Sequence, residues 1–318
     1  MTIDSDIHGE SAFSLVWVSG LVLLMSVTGP LWLFPFRDPD PLSLPYVGWF
    51  GIDFWIARSL HGIGVLVLVL SLVGVATTTL RFGQKRRRAV GWIGVAAGLL
   101  LMVAVDQHRL QPWVYQSVLY AVMLAALPWR SARRWIMAIA ISIYFFSAAG
   151  KFDYQFVHTV GSDIVRGMAG LLGVGPDVLS ETVASRLTFC LPCGELLVAL
   201  LLMIRRTRVW GGWAAIGLHA TLVILLGPRG FDHSHGVLVW NVLLAVQAWL
   251  LFVRGDSKRP DASLNEDQSN AIHRPVVSVF VRSFALAAMV LPLTERLGYW
   301  DHWTSWALYS PHTSRVDV

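Results

Sequence analysis

Long runs of apolar residues constrain this chain more than any other feature of its sequence. Nine runs of roughly 16–25 residues follow one another, and about 20 apolar residues let an α-helix cross the core of a bilayer. Of the 318 residues, 55% are hydrophobic and only 14% are charged, which argues against a soluble globular protein of this length. The sequence therefore predicts an all-α, polytopic integral membrane helix bundle with about nine transmembrane helices. They lie near residues 13–34, 58–80, 89–106, 114–129, 135–152, 187–204, 209–228, 236–253 and 276–294.

Two of these runs need separate comment. The fourth is the shortest, at roughly 16 residues, so a tilted, kinked or partly spanning helix fits it. The first follows the acidic segment "MTIDSDIHGESA", and no small-residue cleavage site comes after it. A cleaved signal peptide has a basic start, so we expect the first run to be a retained span.

The distribution of Lys and Arg predicts how the chain is oriented. Four loops that fall on one side hold 15 of the 25 basic residues: 81–88, 130–134, 205–208 and 254–274. Short loops rich in Lys and Arg stay in the cytoplasm. We therefore expect a multi-pass protein with a cytoplasmic N-terminus and an extracytoplasmic C-terminus. The basic loops face anionic lipid, and no nucleic-acid motif is visible.

The chain reads as one transmembrane domain over residues 1–318. The polar loop 254–274 is predicted to be a flexible cytoplasmic linker, and residues 298–318 an extracytoplasmic tail. Between the fifth and sixth spans, the apolar spacing within 152–186 predicts short helices on the outer membrane surface.

The tail carries aromatic residues at three-residue intervals: Trp300, Trp303, Trp306 and Tyr309. On a helix they would form one aromatic stripe. We interpret this stripe as an interfacial anchor, because Trp and Tyr collect at the level of the headgroups. A surface that stacks on a ligand is the alternative.

Ionisable residues gather at the outer ends of the spans, and such residues are functional candidates because their burial in a bilayer is costly. In "YFFSAAGKFD", Tyr144, Ser147 and Lys151 are spaced i, i+3 and i+7 and share one helix face. Lys151 has Asp153, Glu195 or Asp106 as possible partners, or its ammonium extends alone to the headgroups.

Glu195 is predicted to lie about one turn inside the sixth span, so it needs a partner or a proton. We expect a pair with Lys151 or with His219, which lies midway along the seventh span. Both residues fit a buried structural pair as well as a site for proton transfer.

The two cysteines of the chain lie together in "TFCLPCGELL". Cys190 and Cys193 are predicted to stand at a helix entrance on the oxidising side of the membrane, where disulfides persist. Pro192 and the helix start would place the sulfurs near backbone N–H groups that stabilise a thiolate. A working dithiol and two small packing residues are both consistent with the sequence.

Metal binding is the weaker interpretation of the remaining clusters. The segment "FDHSHG" offers Asp232, His233 and His235 as candidate ligands. The spacing fixes no further protein ligand near them. The two cysteines alone do not complete a closed zinc site, which takes four ligands. We therefore assign no metal site.

Two stretches of the chain resemble the DoxX/MauE group of redox-associated membrane proteins. They are "YFFSAAGKFD", with Gly150 and Lys151, and "LPCGELLVALLLMIRRTRVWGGWAAIGLHATLVILLGP", with Pro192 and Glu195. The resemblance covers about residues 90–250. It implies a four-helix core and an association with thiol or quinone redox chemistry outside the cytoplasm.

The lysine stretch also resembles the transmembrane domain of vitamin K-dependent γ-glutamyl carboxylases and their bacterial relatives. That resemblance implies that Lys151 matches the lysine of the carboxylase active site and that His219 matches a histidine of a later helix.

Three functions therefore stay open at the level of the sequence. In the first, Cys190 and Cys193 exchange disulfides with an extracytoplasmic thiol protein or pass electrons to a quinone. Lys151, Glu195 and His219 then tune proton uptake, and Tyr144, Asp106 and Arg109 bind the quinone.

In the second, a carboxylase-like enzyme uses Lys151 as a base toward a lipid-soluble reduced cofactor. In the third, the protein is a scaffold, an assembly factor or a small-molecule carrier without catalysis. The substrate and the oligomeric state are not predicted.

Overall fold

The computed structural model describes residues 2–33, 54–81, 84–175, 179–254 and 275–307, and these residues form helices and turns without a strand. The α-helices in this part of the chain are α1 (Thr2–Val27), α2 (Gly29–Trp32), α3 (Phe54–Leu80), α4 (Lys85–Val105), α5 (Pro112–Ala126), α6 (Trp129–Lys151), α7 (Tyr154–His158), α8 (Val160–Leu171), α9 (Glu181–Thr188), α10 (Cys190–Met203), α11 (Arg208–Leu226), α12 (His235–Ala248) and α13 (Pro275–Val290). The predicted all-α class is confirmed.

Eight helical segments of the described residues are long and apolar enough to cross a membrane. They are His8–Val27, Trp55–Leu80, Lys85–Val105, Trp129–Lys151, Glu181–Met203, Arg208–Leu226, His235–Val253 and Val276–Leu297. The fourth predicted span is the apolar helix α5, with 15 residues. At 1.5 Å per residue it reaches only about 22 Å. The prediction of helices that are long and apolar enough to cross a membrane is confirmed for eight segments, and the ninth span stays a prediction.

Prolines determine where several helices begin or bend. Pro112 stands at the start of α5, where its missing N–H removes no helical hydrogen bond. Pro192 lies near the start of α10, and in a regular helix its ring would clash with the carbonyl of Thr188. The chain therefore departs from the α-helix at Phe189, whose N–H donates to the Arg186 carbonyl at 3.3 Å. Helix α9 continues into α10 across this break.

The chain divides into two compact units. Unit 1 consists of Met1–Ile136 and Asn270–Ala285, and unit 2 consists of Met137–Ser269 and Leu286–Val318. Helices α6 and α13 contribute residues to both units. The predicted four-helix core within residues 90–250 takes in parts of both units, and it stays a prediction, as does the single domain.

In unit 1, glycines allow α3 and α4 to pack closely. A Cβ atom added to Gly98 would lie 2.9 Å from Leu68 Cβ, 3.0 Å from the Leu68 nitrogen and 3.1 Å from the Gly64 oxygen. The distance to Leu68 Cβ is shorter than real Cβ atoms show, and the two backbone distances are tighter than nine in ten such contacts, so a side chain at position 98 would require α3 and α4 to shift apart. Small residues at such spacings are the usual means by which membrane helices approach each other.

Two contacts show that α1 and α4 run in the same direction within unit 1. Near the start of both helices, Glu10 pairs with Arg88 at 2.7 Å. Beyond their ends, Arg109 Nε donates to the Leu31 carbonyl at 2.9 Å. The N-terminal segment and the start of α4 therefore lie at the same end of unit 1, as the charge distribution predicted.

In unit 2, three short helices connect α6 to α10. Asp153 caps α7 by accepting a hydrogen bond from the Gln155 N–H at 2.8 Å, and Ser180 caps α9 by accepting from Val183. The predicted short helices between residues 152 and 186 are confirmed, and their place on the membrane surface stays a prediction.

The end of the described chain differs from the predicted aromatic stripe. Residues 302–306 form turns, with the Asp301 carboxylate accepting from the N–H of Trp303 at 2.9 Å. Trp306 is fully buried with a φ of 61°, whereas Trp303 is 45% exposed. The helical stripe is therefore wrong for Trp300, Trp303 and Trp306. Tyr309, the tail from residue 308 onward and linker residues 255–274 lie outside the described residues.

Candidate functional site

The C-terminal half of α6 carries a row of polar side chains on one face. Tyr144, Ser147 and Lys151 are all buried within unit 2, as their spacing predicted. Between them lies Ala148, which is fully buried and small enough to let a neighbouring helix approach. The row faces α10 and α11, whose polar residues meet it.

Lys151 and Glu195 form a buried ion pair between α6 and α10. Nζ lies 2.8 Å from Oε1 and 2.7 Å from Oε2 of the carboxylate, and it donates to the Ser147 hydroxyl at 2.6 Å. The two side chains are 7% and 11% exposed. Nζ also lies 3.2 Å from the Ser147 carbonyl oxygen, so its three N–H donors are shared among four acceptors. The predicted pairing of Glu195 with Lys151 is confirmed.

Tyr144, His219 and Asn241 form a chain of hydrogen bonds across α6, α11 and α12. The Tyr144 hydroxyl lies 2.7 Å from His219 Nε2, and His219 Nδ1 lies 2.9 Å from Asn241 Oδ1. Asn241 Nδ2 donates to the Val237 carbonyl at 2.9 Å, which leaves Oδ1 to accept. His219 Nδ1 is therefore the protonated nitrogen, and Nε2 accepts the hydrogen bond of the Tyr144 hydroxyl.

The ion pair and this chain lie around one polar region. Glu195 interacts electrostatically with the His219 ring, and both residues are less than a tenth exposed. Ionisable groups inside apolar helices are costly and mark functional sites by default. The region brings together an ammonium, a carboxylate, a phenol and an imidazole, so it can donate, accept and store a proton.

Cys190 and Cys193 lie apart from this polar region. Both are free and exposed, whereas Glu195 on the same helix is buried. At about 100° per residue, the two thiols are roughly 140–160° around α10 from Glu195. The two thiols therefore lie on a different face of α10 from Glu195, and a catalytic site that they share with Lys151, Glu195 and His219 stays a prediction.

Cys190 is the first residue of α10, with Phe189 as its N-cap, so the predicted helix start is confirmed, but α9 runs directly into it. The helical segment begins at Glu181, well before Cys190, and the Cys193 N–H donates to the Phe189 carbonyl at 3.2 Å. Because this N–H is already bonded within the helix, it cannot stabilise a thiolate in the way that a free helix N-terminus does.

Asp106 and Arg109, predicted with Tyr144 to bind a quinone, belong to unit 1 and bond within it. The Asp106 carboxylate caps the turn Gln107–Arg109 by accepting a hydrogen bond from the His108 N–H. Arg109 Nη1 lies 2.8 Å from His61 Nδ1. Burial lowers the pKa of the Arg109 guanidinium, and Asp106 opposes this shift. We interpret this cluster as a structural one that joins the helix ends of unit 1.

Unit 2 also contains an open cleft of about 620 Å³, which none of the side chains of the polar region lines. One wall begins at Phe152, directly after Lys151, and continues through Tyr154 and His158. The opposite wall is the face of α9 that carries Thr182 and Arg186. The volume falls in the range of small-molecule sites. Nothing in the sequence marked Arg186 or Tyr154 as members of one site, because they are far apart in an irregular region.

Among the described residues, no group of three or more His, Cys, Asp and Glu side chains could hold a metal. In the segment with Asp232, the ring Nδ1 of His233 accepts from the Ser234 N–H at 2.8 Å. His235 starts α12.

Asn241 is the member of the site that sequence reasoning missed. Its signal was present, because an amide side chain in the apolar run "HGVLVWNVLLAV" needs a hydrogen-bonding partner.

No protein-family model, no curated protein and no solved structure matches the chain. The proposals below therefore depend on the geometry of unit 2 and on the short sequence motifs.

Proposed function

We propose that unit 2 contains an intramembrane acid–base site that acts on a lipid-soluble substrate bearing a hydroxyl group, such as a reduced quinone. The observation that carries this proposal is the buried Lys151–Glu195 pair beside the Tyr144–His219–Asn241 chain. The cleft in unit 2 has the volume and the aromatic walls that a quinone head requires.

Tyr144 and His219 form the route for the proton. The substrate hydroxyl gives its proton to the Tyr144 oxygen as the Tyr144 hydroxyl gives its own to His219 Nε2. The result is a substrate oxyanion and an imidazolium, whose Nδ1–H still donates to Asn241. The Lys151 ammonium then stabilises the oxyanion.

This assignment changes the role that the carboxylase-like resemblance implies for Lys151. As an ammonium paired with the Glu195 carboxylate, the Lys151 nitrogen has no lone pair to offer as a base. It would first have to pass a proton to Glu195. We therefore assign Lys151 to charge stabilisation and His219, through Tyr144, to proton uptake.

A lipid-soluble naphthol with an alkyl tail tests this function, because its naphtholate absorbs at longer wavelength than the naphthol. In nanodiscs that contain the purified protein, we expect the pKa of the bound naphthol to fall by about 1–3 units, since a nearby ammonium favours the anion. Replacing Lys151→Met together with Glu195→Met should abolish the shift without leaving an unpaired carboxylate. Lys85→Met, which removes an exposed lysine elsewhere, is the matched control.

The replacement Tyr144→Phe separates proton uptake by His219 from charge stabilisation by Lys151. It should keep the shifted pKa but slow the deprotonation after a pH jump by about 10²–10⁴-fold, because the proton loses its route to His219. An unchanged rate would show that Lys151 is the base. An unshifted pKa in the unmodified protein would contradict the proposal as a whole.

A second candidate function is the thiol redox role of the cysteines, which their exposure favours. Residues i and i+3 of a helix have Cβ atoms roughly 5–6 Å apart, whereas a disulfide needs about 3.5–4.5 Å. A Cys190–Cys193 disulfide would distort this turn of α10 and would be easy to reduce, as exchange requires.

Acid quenching of intact cells, followed by alkylation with a mass-tagging maleimide, measures the redox state of the pair. A fraction that is oxidised and that changes with the quinone pool or the thiol balance supports the dithiol. Two thiols that stay reduced and unreactive under every condition contradict it. An extracytoplasmic thiol protein would then be ruled out as the partner.

The DoxX/MauE-like association with redox membrane proteins, and the location in a bacterial inner membrane with a cytoplasmic N-terminus, belong to the same proposal. The DoxX/MauE-like association and the bacterial inner membrane rest on the short sequence motifs around Lys151 and Glu195. The eight apolar helices support a location in a membrane, and the basic loops favour a cytoplasmic N-terminus.

A further inference from the structure

The residues of α9 that line the cleft form one stripe, and the stripe continues past the cleft. Thr182, Arg186 and Phe189 face the cleft at helical spacing. The next positions on this face are Cys190, four residues after Arg186, and Cys193, four residues after Phe189. The wall of the cleft therefore leads along the helix toward the two exposed thiols.

The opposite wall is aromatic and starts at Phe152. Phe152 follows Lys151 directly in the chain. The rings of Tyr154 and His158 stack on each other with centroids 4.0 Å apart and planes inclined by 26°. With Phe189 on the facing side, the cleft presents flat apolar surfaces on both walls, which suit a planar ring.

The ionisable side chains that line the cleft show no excess of positive charge. Asp153 and Glu181 carry carboxylates, and Arg186 and His158 carry a guanidinium and an imidazole. A site for a phosphate or another anionic headgroup would show an excess of basic residues. This balance favours an uncharged head whose oxygen atoms accept hydrogen bonds from Arg186 or Thr182.

The rim of the cleft is open to the surroundings of the helices. Tyr154 is 78% exposed, and Phe152, Leu187 and Phe189 are each at least 40% exposed. Apolar and aromatic side chains in the first turns of a spanning segment lie at the headgroup level of a bilayer. A molecule dissolved in the membrane can therefore reach the cleft sideways and leave its tail in lipid.

We propose that this cleft is a lateral binding site for a membrane-soluble molecule with an uncharged, planar, oxygen-bearing head and an alkyl or isoprenoid tail. The proposal rests on the proposed function, because it names the class of substrate that reaches Lys151. The head lies between the Tyr154 wall and the Arg186 wall, and the tail follows the exposed rim.

Cysteine protection tests this binding directly. In a background with Cys190→Ser and Cys193→Ser, one variant carries Thr182→Cys in the cleft wall, and its matched control carries Val183→Cys. Position 183 is adjacent and exposed but does not line the cleft. The rate of maleimide labelling is measured in phosphatidylcholine nanodiscs with and without decyl 4-hydroxybenzoate, which has an aromatic head, a ten-carbon tail and no reactivity toward thiols.

We expect the probe to slow labelling of the Thr182→Cys variant about tenfold at ten times its Kd, as simple occupancy requires. Labelling of the Val183→Cys variant should not change. 1-Decanol, with the same tail and no ring, should protect neither position. Adding Arg186→Gln should remove most of the protection of the Thr182→Cys variant.

Other results would overturn the proposal. Equal protection at both positions would show partitioning of the probe into the bilayer, and no protection would show that the cleft does not bind this class. Protection by phosphatidylglycerol nanodiscs without the probe would assign the cleft to a lipid headgroup.

The same assay separates this inference from the proposed function. Protection that persists in the Lys151→Met, Glu195→Met double variant, together with an unshifted naphthol pKa in the unmodified protein, would keep the binding site and reject the acid–base role. A shifted pKa without protection of the Thr182→Cys variant would do the reverse.

Discussion

Replacing Lys151→Met alone should lower the free energy of unfolding by about 3–5 kcal/mol, because the change leaves the Glu195 carboxylate buried without its partner. The double replacement Lys151→Met, Glu195→Met should recover most of this loss, since it removes both charges and both desolvation penalties. Equilibrium unfolding in mixed micelles measures all variants under the same conditions.

The comparison has a matched control and a clear contrary result. Lys85→Met removes an exposed lysine and should leave the stability unchanged. Equal losses in the single and the double variant would show that the stability comes from side-chain packing rather than from pairing of charges. The double variant also matters for function, because it is expected to be folded and yet unable to stabilise an oxyanion.

Replacing Gly98→Ala should destabilise the protein by about 1–3 kcal/mol through overpacking between α3 and α4. The new methyl group would lie 3.0 Å from the Leu68 nitrogen and 3.1 Å from the Gly64 oxygen, and backbone atoms cannot move aside as a side chain does. Larger residues at position 98 should abolish the packing of the helix pair.

Gly74→Ala in α3 is the matched change, and it should have the opposite sign. A Cβ atom at Gly74 meets nothing within 4 Å, and alanine is favoured over glycine in a helix by up to about 1 kcal/mol. Thermal unfolding of both variants in the same detergent provides the test. A similar effect of both changes would mean that helix propensity, rather than close approach, decides the role of Gly98.

The membrane helices could be predicted because their signal is local. A run of apolar residues long enough to span a bilayer identifies a helix without knowledge of its neighbours. The Lys151–Glu195 pair could be predicted for a similar reason, since a carboxylate inside an apolar helix needs a positive partner. Choosing Lys151 over His219 required the packing of α6, α10 and α11, which no short motif specifies.

The position of the cysteines could not be predicted because a membrane helix is apolar on every side. In a water-soluble protein the polar face of a helix marks its exposed side, but α10 has no such face beyond Glu195. The break at Phe189 also matters, because α10 starts there at Cys190 while α9 precedes it in the same apolar segment. A single proline in the sequence did not distinguish a helix start from a bent helix.

The hydrogen bonds of Lys151 Nζ determine how it distinguishes a neutral hydroxyl from an oxyanion. A neutral hydroxyl that displaced the Ser147 oxygen would exchange one hydrogen bond for an equivalent one and gain little. An oxygen that acquires negative charge would form an ion pair with the ammonium in the same exchange, and Coulomb attraction makes that contact stronger than the bond to the neutral hydroxyl. Lys151 therefore contributes little to the binding of the neutral substrate and stabilises the substrate oxygen only as negative charge develops on it. Affinity of this kind lowers a reaction barrier without tightening the binding of the ground state.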